Sequence, residues 1–208
     1  MKLAERYDIA APIYDRTAWV LSLGGIDKLH PALVAGLELS GKTVADLGCG
    51  TGLAFPALIE AIGPSGRVIG LDNNAAILAK AEKRVTEHGW NNVKLVVDDI
   101  ATTPLLPDID VVFSCIAMSC VPDPSEKLDE LLGNLKPGTV VRIIDALPRT
   151  RGFGFRAING YNFLKSFIVG SHYKKLEPFE RVFRERLSNV VVDSVHGGMY
   201  TRLTGVKA

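Results

Sequence analysis

The stretch VADLGCGTG at residues 44–52 decides the fold of this chain. Val44, Ala45 and Leu47 make a short apolar run that stops at glycine, as a buried strand does before a turn. Gly48, Gly50 and Gly52 then alternate with small residues. Positions without a Cβ let the backbone turn tightly and approach a ligand closely. LAFPALIEAIG follows at 53–63 with helical spacing. The free N–H groups of that helix start, near residues 51–54, can hold an anionic group. A tight strand–helix turn would also explain these glycines, so the flanking residues must decide between a plain turn and a ligand loop.

Outward from this loop, strand and helix signals alternate. Strands are predicted at 67–72 (RVIGLD), 93–99 (VKLVVDD), 110–117 (DVVFSCIA) and 139–146 (TVVRIIDA). Helices are predicted at 73–89, capped by Asn73 or Asn74 and stopped by Gly89, and at 125–135. Such alternation predicts an α/β fold with a mostly parallel sheet and helices on both faces. NVVVDSV at 189–195 and MYTRLTGVKA at 199–208 flank HGG and predict a closing hairpin. Asp72 ends the second strand, and Asp98 and Asp99 end the third. Carboxylates at strand carboxyl ends, beside a glycine loop, suit the hydroxyls and amino group of an adenosine ligand.

VADLGCGTG, VIGLD, VVDDI and LKPGTVVRIID together resemble the class I S-adenosylmethionine-dependent methyltransferases over residues 43–146. The resemblance implies a Rossmann-like, seven-stranded sheet whose last strand is antiparallel and inserted as a hairpin partner. It also implies that Asp46 and the Gly48–Gly52 loop, with Cys49 and Gly50, hold the methionine part of the cofactor. Asp72 and Asn73 would hold the ribose, Asp99 and Ile100 the adenine, and Cys115 would lie beside them. The cofactor implied is S-adenosylmethionine, with S-adenosylhomocysteine as product. An acid at position 46 also separates this loop from that of NAD dehydrogenases.

Two flanking segments bear on the methyl acceptor. YDIAAPIYDRTAWVLSLGGID at 7–27 resembles the N-terminal helix of lipid and quinone methyltransferases, which implies that Tyr7 or Tyr14 folds over the cofactor. FSCIAMSCVPDPSEKLDELLGNLKPG at 113–138 resembles bacterial phospholipid N-methyltransferases, with the ubiquinone and menaquinone methyltransferases as close relatives. The segment 151–175 gathers Arg151, Arg156, Lys165, Lys174 and Lys175 without an acid, along with Phe153, Phe155, Tyr161, Phe163, Phe167 and Tyr173. Arginine pairs with phosphate, and aromatic rings line an acyl channel or sit at a lipid interface. Arg149, Arg151, Arg156, His172 and Met118 are therefore the substrate-binding candidates. The plainer alternative packs Phe163, Leu164, Phe167 and Ile168 on the sheet, with the lysines in water.

Methyl transfer needs alignment and exclusion of water more than acid–base chemistry. An amine acceptor must still lose a proton. Tyr14, Ser119 and Tyr173 are the catalytic candidates, with Asp145 and His172 as further proton-accepting or orienting groups. His30, before Pro31, and His196, beside two glycines, read as structural. Cys49, Cys115 and Cys120 show no disulfide or zinc spacing, and no metal-ligand cluster is expected.

With 24 Lys and Arg against 23 Asp and Glu, the net charge of +1 gives no basic footprint for nucleic acid. No Asn-Pro-Pro-Tyr type motif follows the fourth strand either. No apolar run reaches the length of a membrane span, and the N-terminus does not read as a signal peptide. The expected location is cytoplasmic, with peripheral contact at the inner membrane face left open. The expected organisation is one domain: a helical lid at 1–40, a cofactor core at 43–146, an acceptor-site insertion at 147–177, and a C-terminal helix and hairpin at 178–208. The leading expectation is N-methylation of a phosphatidylethanolamine-type headgroup. C- or O-methylation of a quinone precursor or another small molecule is the alternative, and a lipid-binding module without turnover is a third. Oligomeric state stays open.

Overall fold

A computed structural model describes residues 13–102, 108–150, 152 and 154–208. Tyr7 and Arg151 lie outside the described residues. Seven strands form one sheet in the order β3-β2-β1-β4-β5-β7-β6. They are β1 Thr43–Leu47, β2 Arg67–Asp72, β3 Val93–Val97, β4 Val111–Cys115, β5 Val140–Asp145, β6 Leu187–Val195 and β7 Tyr200–Lys207. The first five run parallel, while β7 lies antiparallel between β5 and β6. The expected hairpin is therefore present, with its second strand inserted beside β5. The central strands are buried on both faces, which is why they read as continuous apolar runs.

Strand order reverses between β1 and β4, so a crevice opens outside their carboxyl ends. Helices α1 Tyr14–Leu21, α2 Ile26–Val34, α3 Phe55–Ile62, α4 Ala75–His88, α5 Pro124–Gly133, α6 Phe155–Val169 and α7 Phe179–Arg186 complete the chain among the described residues. Asn74, rather than Asn73, caps α4: its Oδ1 accepts from Ile77 N at 2.8 Å. Gly89 ends that helix in the left-handed region, at φ 65°. None of the described helices is long and apolar enough to cross a membrane.

Two features hold the N-terminal helices over the sheet. Arg142 of β5 is buried and donates to the carbonyls of Leu33 and Ala35 at 2.9 and 2.7 Å, and to Thr204 Oγ1 at 2.8 Å. Burial lowers its pKa to about 10, so it remains a cation at neutral pH. Arg202 of β7 adds a bond to Ala32 O at 2.9 Å. Together they satisfy the orphan carbonyls at the end of α2, where positive charge also suits the helix dipole.

Helix α6 departs from the plainer alternative for Leu164, Phe167 and Ile168, while Phe163 does pack against the core. Leu164, Phe167 and Ile168 are 66%, 62% and 62% exposed, whereas Lys165 is 7% exposed. Asn162 and Ser166 are buried beside Lys165. Apolar residues surround this helix rather than forming one stripe, so periodicity does not select a face. Polar groups at the start of β7 and in the turn before it select it instead. Lys165 Nζ donates to Tyr200 Oη at 3.1 Å, and Asn162 Nδ2 donates to Met199 O at 3.1 Å.

Candidate active site

The loop after β1 and the loop after β4 meet at the crevice. Gly48 has φ 69°, and a Cβ there would come within 2.3 Å of Ala117 Cβ. Only glycine permits that approach. Gly50 has φ 58°, and a Cβ there would lie 3.7 Å from the Tyr14 ring, which covers the loop from above. Gly52 serves a different purpose. A Cβ at this position would strike the Phe55 ring at 2.6 Å, and Gly52 does not line the cavity. It closes the turn onto the core instead of meeting a ligand.

Asp72 organises the loop. Its two carboxylate oxygens accept from Gly50 N at 2.9 Å and Asn74 N at 3.0 Å. Each oxygen keeps a second lone pair for a hydroxyl. Burial raises the pKa of Asp72, and these N–H bonds oppose the rise. Behind it, Asp46 is buried and its Oδ2 has no hydrogen-bond partner among the described residues. Burial, then the Asp72 charge, pushes the Asp46 carboxyl up to about 7. An orphaned buried acceptor beside open glycine backbone fits a cationic, hydrogen-bonding ligand group such as the cofactor's ammonium. Asp99 accepts from Ala101 N at 2.8 Å, and with Ile100 it lines the same cavity further along the strand ends. The residues present therefore fit S-adenosylmethionine.

A latch absent from the sequence reading ties α1 to this loop. Asp15 accepts from Thr51 Oγ1 at 2.6 Å and from Arg84 Nη2 at 3.1 Å, while Arg84 Nε donates to Thr51 O at 3.0 Å. Tyr14 is thereby held at the cavity wall. Burial raises its phenol pKa, so its hydroxyl stays protonated and is no base at neutral pH. Tyr161 Oη, from α6, donates to Leu21 O at 2.9 Å and joins the two flanking segments above the crevice.

One cavity of about 550 Å³ runs from the glycine loop to α6. That volume is within the range of small-molecule sites, roughly 300–1,000 Å³. Tyr14, Gly48, Cys49, Gly50, Asp72, Asn73, Asp99, Ile100, Cys115, Ser119, His172 and Tyr173 of the candidate residues line it. Burial holds the Cys49 and Cys115 thiols well above their usual pKa, so both stay protonated. Ser119 N donates to Asp145 Oδ2 at 2.9 Å, and Ser119 O accepts from His172 N at 2.6 Å. Tyr173 Oη donates to Asn159 Oδ1 at 3.0 Å, and burial pushes its pKa up to about 12. Both residues shape the wall while their polar groups are engaged.

Three substrate candidates lie off the cavity. Met118 is fully buried in the core. Arg149 turns toward the hairpin, where its Nη1 donates to Gly198 O at 2.6 Å. Arg156 is exposed, with its guanidinium 5.9 Å from the Phe155 ring. The cavity residues missed as site residues include His30, Asn162, Lys165 and Tyr200. His30 lies within α2 rather than at its start, and burial lowers its pKa to about 4, leaving it neutral. Lys165 belonged to a visible basic run, but nothing in that run distinguishes an inward lysine from an outward one.

Residues 38–152 match the family described as "Methyltransferase domain". The chain is 33% identical over 159 residues to a demethylmenaquinone methyltransferase of Geobacillus stearothermophilus, covering 75% of this chain and 66% of that protein. It is 37% identical over 101 residues to a trans-aconitate 2-methyltransferase of Azoarcus sp. (strain BH72), covering 49% of this chain and 38% of that one. This chain thus spans two thirds or less of the length of these curated relatives. Among solved structures, mitomycin 7-O-methyltransferase shares the fold with a TM-score of 0.75 at 19% identity, over 99% of this chain and 60% of that one. The family match covers the glycine loop, Asp72, Asp99 and β5, and the sheet carries the inserted antiparallel strand expected of the fold. This chain belongs to the methyltransferase-domain family, with the class I fold and S-adenosylmethionine as its cofactor.

Proposed function

We propose that this protein transfers the methyl group of S-adenosylmethionine to a carbon or oxygen atom of a small, largely apolar, oxygen-bearing molecule, such as a quinone precursor. The observation that carries this reading is the continuity of the cavity. Its walls join Gly48, Asp72 and Asp99 at one end to Ser119, Lys165, Ile168 and Tyr200 at the other. The cofactor brings an activated methyl group, and the chain aligns an acceptor against it and excludes water. The relatives' printed activities include demethylmenaquinone and trans-aconitate methylation. Neither is an amine, and both acceptors carry oxygen.

The expected phosphatidylethanolamine headgroup finds less support. Its ammonium would enter beside the buried Lys165 cation, and Arg149 and Arg156 do not reach the cavity to hold its phosphate. The apolar face of Leu164, Phe167 and Ile168 favours an acceptor drawn from a lipid surface, because Ile168 both lines the cavity and stands exposed at its rim. Calorimetry with S-adenosylhomocysteine should show binding. Labelled methyl transfer should then proceed to hydroxylated quinone precursors, with product mass separating C- from O-methylation. Transfer to phosphatidylethanolamine vesicles alone, or no cofactor binding, would overturn this function.

A further inference from the structure

Lys165 is a charged group that the fold alone does not explain. Its ammonium is buried, yet among the described residues it has one hydrogen-bond partner, the Tyr200 hydroxyl, and no carboxylate within ion-pair distance. Its Nζ lies 4.7 Å from the centre of the Tyr200 ring and 5.7 Å from that of Tyr161. Asp145, at the end of β5, is close enough to act on it electrostatically, but the Asp145 oxygens already accept from Ser119 N and Ala146 N. Cys120 is the remaining titratable group whose field reaches the amine. A buried cation so thinly paired is costly, and packing alone does not account for it.

Asn162 supplies the second, independent observation. It lies one helical turn before Lys165, on the same inward face of α6. Its amide nitrogen donates to Met199 O, while its Oδ1 is buried without a partner among the described residues. Asn162, Lys165 and Tyr200 all line the cavity. The wall thus offers a cationic donor with spare N–H bonds and, a turn away, an acceptor lacking a donor.

We propose that Lys165 and Tyr200 form an oxyanion subsite that binds a phenol- or enol-type hydroxyl of the methyl acceptor in its ionised form, while Asn162 Oδ1 accepts from a second O–H or N–H on the same molecule. This rests on the methyl-transfer reading above and names the acceptor class within it. The chemical step assigned to these residues is an ionisation. The acceptor's O–H bond breaks, its proton passes to solvent, and the electron pair remains on oxygen facing the Lys165 ammonium. That pair, delocalised over the ring or enol, is what makes the oxygen or its conjugated carbon nucleophilic. Lys165 lowers the cost of holding it in a dry cavity. The same charge repels an ammonium headgroup, so the subsite sets specificity as well as reactivity. The lowered pKa of Lys165, about 8, agrees with a site that waits for an anion, because oxyanion binding would raise it again.

The probe is 4-nitrophenol, whose phenolate absorbs in the visible, titrated with the full chain saturated with S-adenosylhomocysteine. Bound probe should ionise about one to three pH units below free probe. Lys165→Arg should keep most of the shift, and Lys165→Met should abolish it while melting no lower than the parent protein. Lys165→Gln serves as a second neutral variant should the methionine variant misfold. A parent protein that leaves the probe's ionisation unchanged, through weak binding or otherwise, overturns the subsite. So does an equal shift in a folded neutral variant. Failure to bind S-adenosylhomocysteine would instead sink the methyl-transfer reading, so the two failures are distinguishable.

Discussion

Asp46→Asn should stabilise the ligand-free protein at neutral pH and weaken cofactor binding at the same time. The Asp46 carboxyl is buried, one of its oxygens has no partner among the described residues, and its pKa rises from 3.8 to about 7. Between those values the folded chain holds a proton that the unfolded chain has released. The stability contributed by this proton is fully present below pH 3.8 and is lost as the pH climbs to about 7. Each pH unit in that window corresponds to about 1.4 kcal/mol. From pH 5 to pH 7 the parent protein should thus lose roughly 2 kcal/mol that the neutral asparagine variant does not, the slope flattening near pH 7 where the folded carboxyl is half ionised. At about 2–4 °C per kcal/mol for a domain of this size, the difference in melting temperature should change by roughly 4–8 °C over the interval. An unpaired amide N–H in the variant lowers both ends of the comparison equally and leaves this change intact. Loss of one charge-assisted bond to the cofactor's ammonium should weaken S-adenosylhomocysteine binding about ten- to hundredfold. Melts across pH 5–8, with calorimetry at pH 7.5, test both halves. Parallel melting curves would refute the burial argument. Unchanged affinity would refute the assignment of Asp46 to the cofactor.

Arg142→Met leaves the carbonyls at the end of α2 without their donor and should cost roughly 2–4 kcal/mol, seen as a lower denaturation midpoint. A cost under about 1 kcal/mol would mean that water replaces the guanidinium. Asp15→Ala frees Thr51 and Arg84, whose links to it are partly exposed, so stability should change by no more than about 1 kcal/mol. Cofactor affinity should nevertheless fall several-fold, because Tyr14 loses its latch over Gly50. Equal losses of stability and affinity would make the latch merely structural. Phe167→Glu with Ile168→Glu should cut sedimentation with phosphatidylglycerol-containing vesicles at least about tenfold, at unchanged cofactor affinity. Sedimentation equal to the parent's would remove the lipid surface from the account.

The sheet and the cofactor end were legible in the sequence because local rules determine them. Buried parallel strands read as apolar runs, and Gly48 and Gly50 occupy positions that demand a missing Cβ. Asp72 sits where a strand must end. The acceptor end was not legible, for two physical reasons. Helix α6 carries apolar residues on every side, so its inward face is chosen by β7, which lies far along the chain. The partners of Asn162 and Lys165, Met199 and Tyr200, lie at the end of the hairpin turn and the start of β7, a strand whose insertion beside β5 is a tertiary event. Arg149 illustrates the same limit: it stands just before the basic segment, yet a glycine carbonyl of the hairpin turn captures it. The Asp15–Arg84–Thr51 latch likewise joins three segments that no local spacing relates.

The unmet polar groups of the cavity also show how its two ends cooperate. Asp72, with Asp46 buried behind the lining, makes the glycine-loop end acidic, and Lys165 makes the α6 end cationic. In water such charges would be screened within about one nanometre. In a cavity walled by Leu21, Ile100, Ile116 and Val121 they act across a lower dielectric. A cofactor that carries positive charge is favoured beside the acids, and an acceptor that carries negative charge is favoured beside the lysine. The two bound molecules then attract one another along the cavity, so each should bind more tightly in the presence of the other. By linkage the enhancement must be equal in both directions. A neutral amine would gain nothing from this polarity, and an ammonium would be opposed by it. The residues that leave the ligand-free chain with poorly satisfied buried charge are thus the same ones that define which pair of ligands it is built to bring together.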